Sequence, residues 1–249
     1  MKFGRRKNQD SRDDDGGDAE SDVPAGTDAS AEGGAGADAA ADPADEGRPS
    51  PRAGGPWDDS EIEVPDDDGS YVDLGGLIVK GRPGFELQIP TDSDSGLPRA
   101  VVLVTEDSAV EVLAFAATRS GGLWDEIRPE IIEEVERLQG KVEQVEGSFG
   151  TELQVQVPVQ TSDGKSGTQP SRIIGVEGPR WLLRATFMGR EALEPAPDGV
   201  LESALRDVIV VRGKDPMAPR EQIGVTLPEG AVRVDGEDDQ GENGQARPV

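Results

Sequence analysis

Gly178-Pro-Arg-Trp-Leu-Leu-Arg-Ala-Thr-Phe-Met-Gly189 is the stretch on which the reading of this chain turns. With the period of two that a strand imposes, Trp181, Leu183, Ala185 and Phe187 point one way, and Arg180, Leu182, Arg184 and Thr186 point the other. One face is a core face; the opposite face carries two arginines. Aromatic and alternating residues bounded by Gly-Pro and Gly predict a strand, so the fold around it is built on a sheet.

Outward from that strand, Ser171 to Val176 reads as its neighbour, joined to it through Glu177, Gly178 and Pro179. Thr151 to Gln160 alternates more cleanly still. Leu153, Val155, Val157 and Val159 form an apolar face against Glu152, Gln154, Gln156 and Gln160, and one wet face argues for an antiparallel sheet. Between these strands, Gly164-Lys165-Ser166 invites a phosphate-loop reading, which fails because that motif needs a glycine where Val159 stands. A hairpin turn at Asp163-Gly164 is the better account. Further upstream, Arg99 to Thr105 and Ala109 to Ala117 form a hairpin about Glu106, Asp107 and Ser108. The strongest helix follows, where Trp124, Ile127, Ile131, Val135 and Leu138 recur at steps of three and four and Gly140 ends the run. Pro129 predicts a first turn that is irregular or kinked, with the regular helix starting nearer Arg128.

The outermost elements are weaker. Val72 to Val79 reads as a first strand interrupted by Gly75 and Gly76, and Phe85, Leu87 and Ile89 alternate as a second. Asp198 is placed to cap a short helix over Val200 to Arg206, Val208 to Val211 reads as a buried strand, and Ile223 to Leu227 as a last short one. The expected fold is α+β: a mostly antiparallel sheet with one long and one short helix. The order hairpin, helix, strand, strand from Arg99 to Gln160 recurs loosely from Ser171 to Leu227, which allows a duplicated ββαββ plan. Trp181, Leu183 and Phe187 are expected to face the same core as the Trp124 helix.

The chain has 249 residues and a formal net charge of −26, distributed unevenly: −13 over residues 1–70, −9 over 71–234 and −4 over 235–249. Residues 1–70 are rich in Asp, Ala, Gly and Pro and are expected to be disordered, because they bury too little apolar surface to offset the entropy of ordering. Trp57 is the exception, as a lone tryptophan in such a segment docks on something in cis or in trans. Residues 71–234 are expected to form a single domain, and 235–249 a second acidic tail. Lys2, Arg5, Arg6 and Lys7 give the chain a basic tip, but Asn8 to Asp10 and Asp13 to Asp15 stand where a signal peptide needs apolar residues. The longest apolar run, Val112 to Ala117, is far below the roughly 20 residues of a membrane span. A cytoplasmic protein is expected, and non-specific nucleic-acid binding is disfavoured by charge.

The absence of His and Cys excludes disulfides, thiolate nucleophiles, Cys/His zinc sites and every triad that needs an imidazole. A metal would have to be a hard ion on oxygen ligands. The acidic residues at Asp125, Glu126, Glu130, Glu133, Glu134 and Glu136 read as the solvated side of a helix, not as such a site. No cofactor or metal is expected.

Several phrases together resemble a known family. Val-Asp-Leu-Gly-Gly-Leu (72–77), Ala-Phe-Ala-Ala (114–117), Leu-Trp-Asp-Glu-Ile-Arg (123–128), Gly-Thr-Glu-Leu (150–153), Gly-Pro-Arg-Trp-Leu-Leu-Arg (178–184), Val-Val-Arg-Gly (210–213) and Pro-Met-Ala-Pro-Arg (216–220) follow one another. In that order they resemble the actinobacterial domain-of-unknown-function family 3710, over about Trp57 to Leu227. The resemblance implies a cytoplasmic protein of unassigned function, with no catalytic residues to carry over.

Arg180 and Arg184, four apart on a strand, would lie roughly 13 Å apart on one face. With Arg172, Arg212 and Arg220 they form a candidate partner-binding patch, since guanidinium forks suit phosphate and carboxylate alike. The plainer alternative pairs them with Glu152, Glu177 or Asp207 across the sheet. Three functions are compatible with the residues. The first is a non-enzymatic module with a protein partner. The second is a nucleic-acid-associated factor or acidic mimic, and the third an enzyme using carboxylates and arginine on a small anion, which requires a core pocket of roughly 300 Å³.

Overall fold

In chain order the strands are β1 (Trp57–Asp58), β2 (Tyr71–Asp73), β3 (Leu77–Lys80), β4 (Glu86–Gln88), β5 (Val101–Val104), β6 (Ser108–Ala116), β7 (Lys141–Gly147), β8 (Gly150–Gln160), β9 (Ser166–Gly178), β10 (Trp181–Gly189) and β11 (Ile209–Val210). Helices α1 (Leu123–Arg137) and α2 (Val200–Arg206) and a 3-10 turn at Arg190–Ala192 complete the set. The computed structural model describes residues 52–64, 69–92, 94–160, 164–228 and 231. The disorder expected for residues 1–51 and 235–249 lies outside the described residues, as does Asp163 of the expected turn.

The strand at Trp181 is the middle of a seven-stranded antiparallel sheet ordered β4-β5-β6-β10-β9-β8-β7. Its register, Trp181 opposite Ala116 and Gly178, and Phe187 opposite Val110 and Arg172, sets which side chains share a face. The turn from β9 to β10 uses Pro179, with its fixed φ, and then Arg180 at φ 64, so Arg180 belongs to the turn and not to the strand. A smaller sheet, ordered β1-β11-β3-β2, is antiparallel except where β1 pairs with β11.

Each face of the large sheet is covered by a different layer. On the inner face Val110, Val112, Ile174, Val176, Trp181, Leu183, Ala185 and Phe187 meet Leu74, Leu77 and Val79 of the small sheet and Leu201, Ala204 and Leu205 of α2 in one buried cluster. On the outer face Leu123, Trp124, Ile131 and Val135 of α1 pack on Leu153, Val155 and Leu182. The α1 helix therefore does not share a core with Trp181 and Phe187. Leu182, on the face expected to carry Arg180, Arg184 and Thr186, is the β10 residue that α1 covers. Trp124 lies directly on Gly175, where any Cβ would collide with its ring, and the indole N–H donates to the Thr151 carbonyl at 2.8 Å.

Helix α1 starts at Leu123 and keeps Pro129 in its interior. The first turn is held from outside: Glu177 of β9 accepts hydrogen bonds from the backbone N–H groups of Gly122 (2.7 Å) and Trp124 (2.5 Å). That carboxylate satisfies two of the four orphan donors and complements the positive end of the helix, so the turn survives the proline. The helix ends where Gln139 turns left-handed (φ 60) and Gly140 donates to the Val135 carbonyl at 2.8 Å.

Other expectations shift at the boundaries. Residues 72–79 form two antiparallel strands, Tyr71 opposite Lys80, because Gly75 at φ 77 reverses the chain. Gly199, not Asp198, occupies the N-cap of α2, and Val200 is exposed while Glu202 is fully buried. Residues 220–227 are no regular strand. They run from β6 (Ile223 N–H to Ala114 carbonyl, 2.8 Å) to the β2–β3 turn (Thr226 N–H to Leu74 carbonyl, 2.8 Å), tying the two sheets together. In the segments Arg99 to Gln160 and Ser171 to Leu227, α1 and α2 pack on opposite faces, and β11 lies in the small sheet whereas β7 and β8 lie in the large one. Regular structure also begins before Tyr71: the Trp57 N–H donates to the Val208 carbonyl at 2.9 Å, and Asp58 accepts from the Trp181 indole at 2.8 Å.

Candidate functional site

The five arginines do not gather on one face. Arg172, on the inner face of β9, is fully buried: its Nη2 lies 2.6 Å from Glu202 Oε1, its Nη1 3.3 Å from Glu152 Oε2, and its guanidinium 4.3 Å from the centre of the Phe187 ring. Arg212 is also buried and donates to the backbone carbonyl of Asp215 at 2.7 Å. Arg180 is half-buried in the β9–β10 turn. Arg184 is half-buried on the outer face, 5.4 Å from the Phe115 ring, where burial pulls its pKa down and the Glu111 charge opposes that shift. Arg220 is exposed, held by Glu130 at 2.8 and 3.1 Å and by Glu126 at 3.4 Å. Those hydrogen bonds, that to Glu130 foremost, raise its pKa. Of the carboxylates expected to pair with this set, Glu152 meets Arg172, whereas Glu177 caps α1 and Asp207 pairs with Arg82.

Two of the five, Arg184 and Arg220, do converge. They rim a cleft of about 150 Å³ whose apolar lining includes Phe115, Leu123, Ile127 and Leu182, between α1 and the strands β6 and β10. This cleft opens onto the part of the outer face that α1 leaves bare. In the β5–β6–β10 register, Val102, Val104, Ala109, Leu113, Phe115 and Met188 share that face with Glu111, Arg184 and Thr186. All six apolar residues are partly exposed, and none belongs to either buried cluster. Along one side stands α1, with Asp125, Glu126, Glu130, Glu133 and Glu136 exposed.

A second hollow, about 490 Å³ and open to solvent, lies at the edge of the small sheet between Tyr71–Asp73 and Thr226–Pro228. It is a surface feature beside an edge strand, not a core pocket. Its one carboxylate, Asp73, already accepts the Gly75 N–H at 2.8 Å. Among the described residues no three His, Cys, Asp or Glu side chains are disposed to hold a metal ion.

Pattern reading named Glu152 as a partner but missed Glu191 and Glu202. Glu152, Glu191 and Glu202 are all buried around Arg172, between the large sheet, the 190–192 turn and α2. Burial pushes the Glu152 carboxyl up, against the pull of Arg172 and the Phe149 N–H. Burial likewise raises that of Glu191, and the Glu202 charge adds to it. Glu152 alternates with the polar side of β8 and so looks wet in sequence; it is buried against Arg172, which also holds Glu202 of α2, remote in the chain. The one local signal is helical phase, since Glu202 is about 60° from Leu205 on the α2 wheel.

Comparison with known proteins places the chain in a family without assigning it an activity. No curated protein matches it in sequence. Among solved structures it is similar to cyanobacterial PsbP (CyanoP) from Synechocystis sp. PCC 6803, with 9% identity, 61% of this chain and 99% of that one covered, and a TM-score of 0.31. A likeness at that level carries no argument about fold or function. No helix among the described residues is long and apolar enough to cross a membrane. The family match runs over residues 55–233, from the cis Gly55-Pro56 before β1 past the segment that ties the two sheets. The chain thus belongs to DUF3710, a family described as a protein of unknown function.

Proposed function

We propose that this domain is a non-enzymatic interaction module that docks a protein partner on the bare half of the outer face. The observation that carries the reading is the row Val102, Val104, Leu113, Phe115 and Met188, partly exposed on three adjacent strands and outside both cores. A contiguous apolar patch rimmed by charge is the usual mark of a docking surface.

Charge selects the partner's chemistry. The chain carries a net −26, and the exposed acids of α1 flank the patch, so the favoured partner presents apolar side chains bordered by Lys or Arg. Arg184 and Arg220 stand beside Glu111 and Glu130, which weakens the case for phosphate recognition at this place. A reacting centre has less support still, because neither hollow brings carboxylates together.

The test is affinity capture from cell extract with full-length wild type and with a Leu113→Asp plus Met188→Asp double variant, after circular dichroism confirms that both fold. A dominant basic partner whose binding falls at least about tenfold in the double variant is expected, as charge is placed in the apolar centre of the patch. Equal capture by both proteins, or none by the wild type, sinks the reading.

A further inference from the structure

The buried acids of the inner face form a second unit, independent of the docking surface. Three carboxylates, Glu152 from β8, Glu191 from the 190–192 turn and Glu202 from α2, surround one guanidinium, Arg172 of β9. Both terminal nitrogens of Arg172 are committed, Nη1 to Glu152 and Nη2 to Glu202. Glu191 therefore has no cation of its own inside the cluster. Arg190, its sequence neighbour, is exposed and turned to Asp107 at 3.0 Å. The Glu191 backbone N–H is anchored on Ser108 Oγ at 3.1 Å, and its Oε1 lies close to Gly199 at the start of α2. Its Oε2, like Oε2 of Glu202, is buried without a hydrogen-bond partner.

Two net negative charges among buried side chains are more costly than one, and unpaired buried carboxylates are relieved by taking up a proton. A protonated Glu191 brings an O–H donor into a cluster where Glu202 Oε2 lacks one, and leaves one excess charge in place of two. We infer that Glu191 takes up its proton at a higher pH than an ordinary glutamate does and that its ionisation loosens the segment 190–206 from the inner face, a pH-sensitive latch on α2. The groups facing it are Glu202, Arg172, Asp107 and Arg190, and of these only the arginines oppose proton uptake.

The direction of the effect follows from linkage. The folded chain binds this proton more tightly than the unfolded one, whose glutamates titrate near about 4.3. The stabilisation is therefore complete below that range and is lost as pH rises through the higher folded-state value. Low pH stabilises the latch and rising pH opens it.

The test uses full-length protein and backbone amide exchange of Leu201 to Leu205 at about pH 4.5 and about pH 8, corrected for intrinsic base catalysis. Opening is expected to rise about tenfold or more in the wild type, the equivalent of one unit of linked titration, and to stay flat in Glu191→Gln, which keeps the neutral shape. The same pH profile in both proteins overturns the assignment. Should the variant not fold, a carbon-13 titration of the Glu191 carboxyl in the wild type decides the matter. A midpoint above the ordinary range supports the latch, and one near about 4.3 removes it.

Discussion

The two faces of the large sheet treat the same residue type in opposite ways. On the inner face, sealed by the small sheet and α2, Arg172 is fully buried and must find its counter-charges inside the protein, which Glu152 and Glu202 provide. On the outer face, where α1 packs over β7 to β9, Arg184 sits half-buried on bare sheet, 5.4 Å from Phe115. Arg172 is pinned by ion pairs in a low dielectric, whereas Arg184 rests at the solvent boundary. The covering layer, not the residue, decides which role an arginine takes: structural cation within, rim of a docking surface without.

Three substitutions test this contrast, in falling order of effect. Arg172→Ala strands two buried carboxylates and is expected to cost about 3–5 kcal/mol in urea unfolding. A loss under about 1 kcal/mol would mean that the inner cluster is wet, and the contrast would collapse. On the outer face, Gly175→Ala drives a methyl into the Trp124 ring and should cost about 1–3 kcal/mol, because α1 must shift to make room. A neutral result would show that the helix rides loosely on the sheet. Glu177→Ala removes the external cap of α1 and should cost about 1 kcal/mol, with faster amide exchange at Gly122 and Trp124 and none of the change reaching α2.

Much of the fold could be read locally. The alternation in Trp181 to Phe187, the hairpin through Asp107 and the helical repeat from Trp124 to Val135 each express a period that the backbone imposes within a few residues, and the elements stand where that reading puts them. The site was less legible. Arg172 and Arg212 look like surface cations in sequence and are buried, since a residue's partners across a sheet are set by strand order, which is not a local property. Glu177, a plausible salt-bridge partner on paper, is engaged by two amides of a helix more than fifty residues earlier. Trp57 was recognisable as a residue that docks, but not that it does so as an edge strand on β11.

Sequence by itself determined the class of this protein: a mostly antiparallel α+β fold with no His and no Cys, which removes imidazole and thiolate chemistry. Only the tertiary structure decided which face each helix covers, which acids are dry and which apolar row stays bare. The reason is that periodicity sorts side chains into two faces of a strand without saying what lies on either. That depends on strand order and on layers supplied by distant segments, here α1 on one side and α2 with the small sheet on the other.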